Sequence, residues 1–118
     1  MHSTFGSYVR GRRETLNKEK GGHSLRKLAA RINVQPSYLS KVERGEVAPP
    51  SEKTIRRLAE ALGEDADVLL AMAGKVSTDL KEAIRRRPQL FGEMIRAMRD
   101  LPDHAVLRLV REVRDGDW

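Results

Sequence analysis

The chain contains no cysteine. Disulfides and thiolate chemistry are therefore excluded, and so are the usual ligands of a zinc finger. No apolar run approaches the roughly 20 residues that a membrane-spanning helix needs. The start of the chain carries no apolar signal-peptide region, so a cytoplasmic, nucleoid-associated location is expected. No segment sustains the period-two alternation of a β-strand, and there is no internal repeat or low-complexity tract. Catalysis has no constellation to rest on. The histidines, His2, His23 and His104, are scattered without a ligand spacing, so neither a metal nor a cofactor is expected. His23 reads as a solvated loop residue, and His104, beside Asp103, as part of a helix start. Gly21-Gly22 is not a phosphate loop, because no strand precedes it and the glycine–lysine–hydroxyl order is missing. A non-enzyme is the expectation.

What the chain does have is positive charge in one place. It is 118 residues long with a net charge of +6, enough for one domain with an appendage and a core of modest size. Residues 1–41 hold nine Lys/Arg against two Glu, a balance of +7, whereas residues 42–118 hold fourteen against fifteen acids, a balance of −1. A basic face attracts phosphates and releases their counterions. The positive field thus belongs to the N-terminal third.

The periodicity is helical throughout. A first helix is predicted over about Thr4 to Asn17, with Phe5, Val9 and Leu16 inward and with Gly6 and Gly11 as weak points. Glu19 to Gly22 is the loop after it. A second helix starts at the Ser24 cap and carries the stripe Leu25, Leu28, Ala29 and Ile32. Asn33-Val34 is a turn. A third helix runs from Pro36, which suits the first helical position, to Arg44, and Gly45 stops it. Leu39 and Val42 face inward there, with Tyr38 at the edge. After the loop Glu46 to Pro50, a fourth helix runs from the Ser51 cap to Gly63, burying Ile55, Leu58, Ala59 and Leu62. A fifth, about Ala66 to Ala73, presents Val68, Leu69 and Met72.

Ser24 to Gly45 is the informative stretch. Two short amphipathic helices joined by a tight turn form a helix-turn-helix: the first crosses the DNA backbone and the second enters the major groove. Gln35, Ser37, Ser40 and Lys41 lie at the exposed start and outer face of the third helix. Gln pairs with adenine, Ser with several base edges, Lys with guanine or a phosphate. Backbone amides at the start of the second helix suit a phosphate, with Ser24 and Lys27 beside them. Lys53 and Thr54, at the start of the fourth, suit another, and Tyr38 joins this set. Arg44 either contacts a phosphate or complements its helix C-terminus.

With LRKLAARI before SYLSKVERG and PPSEKTIRRLAEALG after it, residues 5–73 resemble the lambda Cro/repressor-like helix-turn-helix family, often called the Xre family. Leu-Ala in the second helix, Ser-x-x-Glu-Arg-Gly in the third, Pro-Ser before the fourth and Leu-Gly ending it fall in the family's order. The resemblance implies an all-α fold with a five-helix DNA-binding domain. It also implies an ion pair between Arg13 and Glu43 that fixes the third helix against the bundle. Pro36 departs from the pattern, since the family often has a base-touching glutamine or other polar residue there. Readout is expected to shift to Gln35 and Ser37.

Beyond Gly74 the organisation changes, so domains are expected over 1–74 and 75–118. Three more helices are predicted, over Thr78–Arg87, Pro88–Arg99 and Pro102–Arg114. Leu80 and Ile84 mark the first stripe. Phe91, Met94, Ile95 and Met98 mark the second, and Val106, Leu109, Val110 and Val113 the third. These faces are too apolar to be merely solvated. A second copy of the chain, another protein, or the N-terminal domain could cover them. The expectation is a dimeric repressor reading a palindrome of double-stranded DNA, with the alternative of an antitoxin or regulatory subunit whose C-terminal helices bind a toxin, protease or other protein.

Overall fold

A cap or a left-handed residue sets most helix boundaries in the N-terminal part of the chain. The computed structural model describes residues 3–117, which leaves His2 outside the described residues. All its secondary-structure elements are helices: α1 (Ser3–Lys20), α2 (Leu25–Arg31), α3 (Pro36–Glu43), α4 (Glu52–Leu62), α5 (Ala66–Met72), α6 (Thr78–Arg86), α7 (Pro88–Met98) and α8 (Asp103–Asp115). The chain divides into two compact units between Ser77 and Thr78. Ser77 is buried in the first, so its boundary lies beyond Gly74.

In the first unit, α1 packs on α3, α4 and α5, and α2 on α3 and α4. The core holds Phe5, Val9, Leu16, Leu28, Ala29, Ile32, Leu39, Val42, Ile55, Leu58 and Leu62. α1 runs a turn longer than its apolar stripe. Lys18 and Lys20 complement its C-terminus, and the left-handed Gly21 and Gly22 end it. The turn between α2 and α3 is closed by Asn33, whose φ of 62° is left-handed. Asparagine tolerates that region better than most residues.

One inward face differs from the expectation. On α5 Leu69 and Leu70 are buried, with Ala66 and Ala73 packed beside them, whereas Val68 and Met72 are exposed. The buried set has the spacing i, i+3, i+4, i+7 of one helical face. The Asp65 side chain accepts the N–H groups of Asp67 and Val68 and so fixes where the helix starts.

In the second unit α6 packs on α7. None of the described residues of α6, α7 and α8 is buried.

Candidate nucleic-acid interface

α3 has only eight residues, too short to be helical on its own in water. Its inward side, Leu39, Val42 and Glu43, is buried. Its C-terminal end is held from α1 in two ways. Gly6 lies so close that an added Cβ would meet the backbone oxygens of Val42 and Glu43. Arg13 then forks onto the Glu43 carboxylate, Nε donating to Oε2 at 2.8 Å and Nη2 to Oε1 at 3.0 Å. These side chains are only 11% and 4% exposed. The bond to Glu43 pushes the Arg13 pKa further up, against the opposing effect of burial, so the guanidinium stays charged.

That anchoring leaves the other side of α3 outward. Gln35, Ser37 and Lys41 are exposed, Ser40 is half-buried, and Tyr38 is half-buried against the core. At the start of α2 the Ser24 hydroxyl accepts the Lys27 N–H at 3.2 Å. At the start of α4 the Ser51 hydroxyl accepts the Thr54 N–H at 3.4 Å and donates to the Thr54 hydroxyl at 3.3 Å. Both serines are therefore committed to capping, and Thr54 is half-buried. Lys27 and Lys53 extend from the same turns and are exposed. Arg44 caps the C-terminus of α3 and pairs with Glu46, so a phosphate at that position would compete with a carboxylate.

Acids neutralise several arginines of the bundle. Arg13 has Glu43, and Arg12 has Glu64 at 3.2 Å and the Leu62 carbonyl at 3.4 Å. Tyr8 also donates to Glu64, which raises its pKa, chiefly through that hydrogen bond. Among the described residues, Lys27, Lys41 and Lys53 lie in no ion pair of this kind. The positive charge left for a polyanion therefore includes all three.

His23 is not a solvated loop residue. It is 6% exposed. The α1–α2 loop folds back on α1: the Asn17 side-chain oxygen accepts the His23 N–H at 3.0 Å, and the Asn17 carbonyl accepts the Gly21 N–H at 2.9 Å. The ring reaches the Gly21 carbonyl at 2.8 Å and the Ala61 carbonyl of α4 at 3.2 Å. The two left-handed glycines before it were the available signal, because they reverse the chain. Gly6 was legible in the same way, three residues before the inward Val9.

In the second unit Phe91, Met98 and Val106 are half-buried, and Met94, Ile95, Leu109, Val110 and Val113 are exposed. Leu90 and Leu107, outside the expected set, are exposed as well. No three His, Asp or Glu side chains among the described residues come together as a metal site. No helix there is long and apolar enough to cross a membrane.

A bundle of five helices with an anchored second helix-turn-helix element defines a class, and the comparison with family models agrees. The helix-turn-helix family matches residues 10–69, and the chain belongs to that Cro/C1-type family. Uncharacterized HTH-type transcriptional regulators from two strains of Mycobacterium tuberculosis, CDC 1551 / Oshkosh and H37Rv, are 42% identical to it over 69 residues, which is 58% of this chain and 45% of theirs. The chain thus matches less than half the length of these curated relatives. No solved structure matches it.

Proposed function

We propose that the protein is a sequence-specific transcriptional regulator of double-stranded DNA, a repressor that binds a palindromic operator as a two-fold dimer. The observation that carries this reading is the division of α3 into a buried, ion-paired side and an exposed polar side. α3 enters the major groove. Gln35, Ser37, Ser40 and Lys41 read base edges there. Lys27 and Lys53, with the amides of the helix starts that Ser24 and Ser51 cap, hold the flanking phosphates. Thr54, Tyr38 and Arg44 border that surface.

One reader contacts few base pairs, so two are combined by dimerisation, about 34 Å apart on successive turns of DNA. The exposed apolar residues of α7 and α8, among them Met94, Ile95, Leu109 and Val110, supply the dimer contact. The same residues support a second reading, in which α7 and α8 clasp a different protein.

A genomic pull-down, sequenced for enriched sites, tests both parts. It is expected to return one palindrome whose half-sites are one DNA turn apart. Sedimentation of the full chain and of residues 1–77 then separates the readings. A dimer that becomes a monomer on truncation supports the first, and a monomeric full chain supports the second. A recovered pool without a common sequence refutes sequence-specific binding.

A further inference from the structure

One residue at the outward start of α3 has no side-chain hydrogen bond to offer. Pro36 occupies the first helical position, between the exposed Gln35 and Ser37, and is itself half-buried. Its ring carries no polar side-chain atom, and its nitrogen has no hydrogen to donate. The buried side of α3 is formed by Leu39, Val42 and Glu43. Helical spacing then sets Pro36 and Ser40, four residues apart, along one flank of the outward face. Side chains lean toward the N-terminus of their helix. The ring therefore lies at the leading end of α3, the end by which a recognition helix meets base edges.

The start of α3 also differs from those of α2, α4 and α5. Ser24, Ser51 and Asp65 bond through their side chains to the amides of those helices. Gln35, the corresponding residue of α3, makes no such bond, so its amide is not engaged by the helix start. Gln35 and Pro36 thus stand side by side as an amide suited to adenine and a ring with only apolar surface.

Chemistry selects what such a ring touches in a major groove. The base pairs display donors, acceptors and one apolar group, the 5-methyl of thymine. Against any polar edge the ring would displace water without replacing its hydrogen bonds. Against the methyl it loses nothing of that kind. A proline side chain also has no rotamer freedom to lose on contact.

We propose that Pro36 is a specificity-determining residue that reads the 5-methyl group of a thymine beside the adenine contacted by Gln35. The proposal rests on the DNA-binding reading. Gln35 selects its base by hydrogen bonds and Pro36 by apolar contact, so the part of each half-site under the start of α3 is rich in A·T pairs. Burial of one methyl-sized group is worth about fourfold in affinity.

The test uses the full chain and a duplex recovered by the genomic pull-down. Each thymine of one half-site is replaced singly by uracil, which removes the 5-methyl group and leaves the pairing edge intact. One of these replacements should cost the wild type about fourfold in affinity and cost Pro36→Ser nothing. A proline that only starts the helix makes no thymine sensitive to its methyl, and that result overturns the proposal. A half-site without thymine overturns it too, and so does a loss of equal size in Pro36→Ser. In the complex, nuclear Overhauser contacts are expected between the sensitive methyl and the ring protons of Pro36. Their absence also overturns the proposal, and this measurement on the wild type decides the matter even where Pro36→Ser does not fold. A wild type that binds no duplex refutes the DNA-binding reading and the proposal with it, whereas specific binding without a uracil-sensitive thymine refutes the proposal alone.

Discussion

Two glycines of α1 should respond to alanine with opposite signs. Gly6 faces the end of α3, and a Cβ built there would lie 2.6 Å from the Glu43 carbonyl oxygen and 2.9 Å from its carbon. Ordinary contacts of such atoms lie near 3.5 Å. The Val42 carbonyl oxygen lies closer still; the two helices would have to part by about 1 Å, and all three offending atoms are backbone, so no side-chain rotation absorbs the strain. Overpacking of this kind costs about 1–3 kcal/mol. The better helix propensity of alanine returns at most about 1 kcal/mol. Glu43 is also the residue that Arg13 holds at 2.8 Å and 3.0 Å, so the separation stretches that pair as well. A net loss of about 1–2 kcal/mol is expected for Gly6→Ala.

Gly11 is the internal control. It is exposed, and an added Cβ there meets nothing within 4 Å. Gly11→Ala should gain about 0.5–1 kcal/mol. Urea unfolding followed on the amide NMR signals of the buried Ile55 and Leu58 measures both variants against the wild type. Gly6→Ala as stable as Gly11→Ala would refute the close approach of α1 to α3.

The remaining expectations follow from the same contacts. Gln35→Ala and Ser37→Ala should each lose about 1–3 kcal/mol on the cognate site and little on random DNA; equal losses on both remove α3 as the reader. Lys27→Ala or Lys53→Ala should weaken binding to every sequence and lower the salt slope by about one unit per lost phosphate contact, and an unchanged slope shows that the lysine touches no phosphate. Arg13→Ala or Glu43→Ala should cost about 3–5 kcal/mol, since each strands a nearly buried charge, with strong coupling in the double-mutant cycle; additive losses refute the pair. The raised Tyr8 pKa means that the folded state holds the phenolic proton more tightly than the unfolded chain. Its contribution is whole below about pH 10, the ordinary tyrosine value, and fades as pH rises above it. Tyr8→Phe should lack that alkaline component of stability, and identical pH curves would show that the bond to Glu64 contributes nothing.

The helices of the first unit were legible because capping and period point the same way. Ser24, Ser51, Gly45 and Gly63 each mark an end, and the stripes of α2 and α4 match the buried residues apart from Leu25, which is partly buried against the core. α5 was misread because three spaced apolar residues, Val68, Leu69 and Met72, fit a seven-residue helix nearly as well as the true set. Leu70 and the alanines Ala66 and Ala73 distinguish the true face. His23 was misread for a different reason. Its burial depends on a carbonyl 38 positions away, that of Ala61, and no local pattern encodes such a partner. The ion pair of Arg13 and Glu43 is equally nonlocal, and it came from family likeness, since periodicity places Arg13 on the inward side of α1 without naming its partner.

The first unit uses arginine and lysine for different work. A guanidinium forks onto a carboxylate and tolerates desolvation, whereas an ammonium keeps its water. Arg13 accordingly sits against Glu43 nearly buried, and Arg12 against Glu64 at the edge of the bundle. They contribute little to a long-range field, because each has its own anion. The lysines at the exposed turns, Lys27, Lys41 and Lys53, keep their charge for something outside the molecule. Net charge therefore understates how the charge is divided: Glu43 and Glu64 hold Arg13 and Arg12 against the scaffold, and the charge that remains includes Lys27 and Lys53 beside helix starts and Lys41 on α3. An eight-residue helix keeps its exposed polar face undistorted because its other side is buried and its end is held from α1 by Gly6 and Arg13.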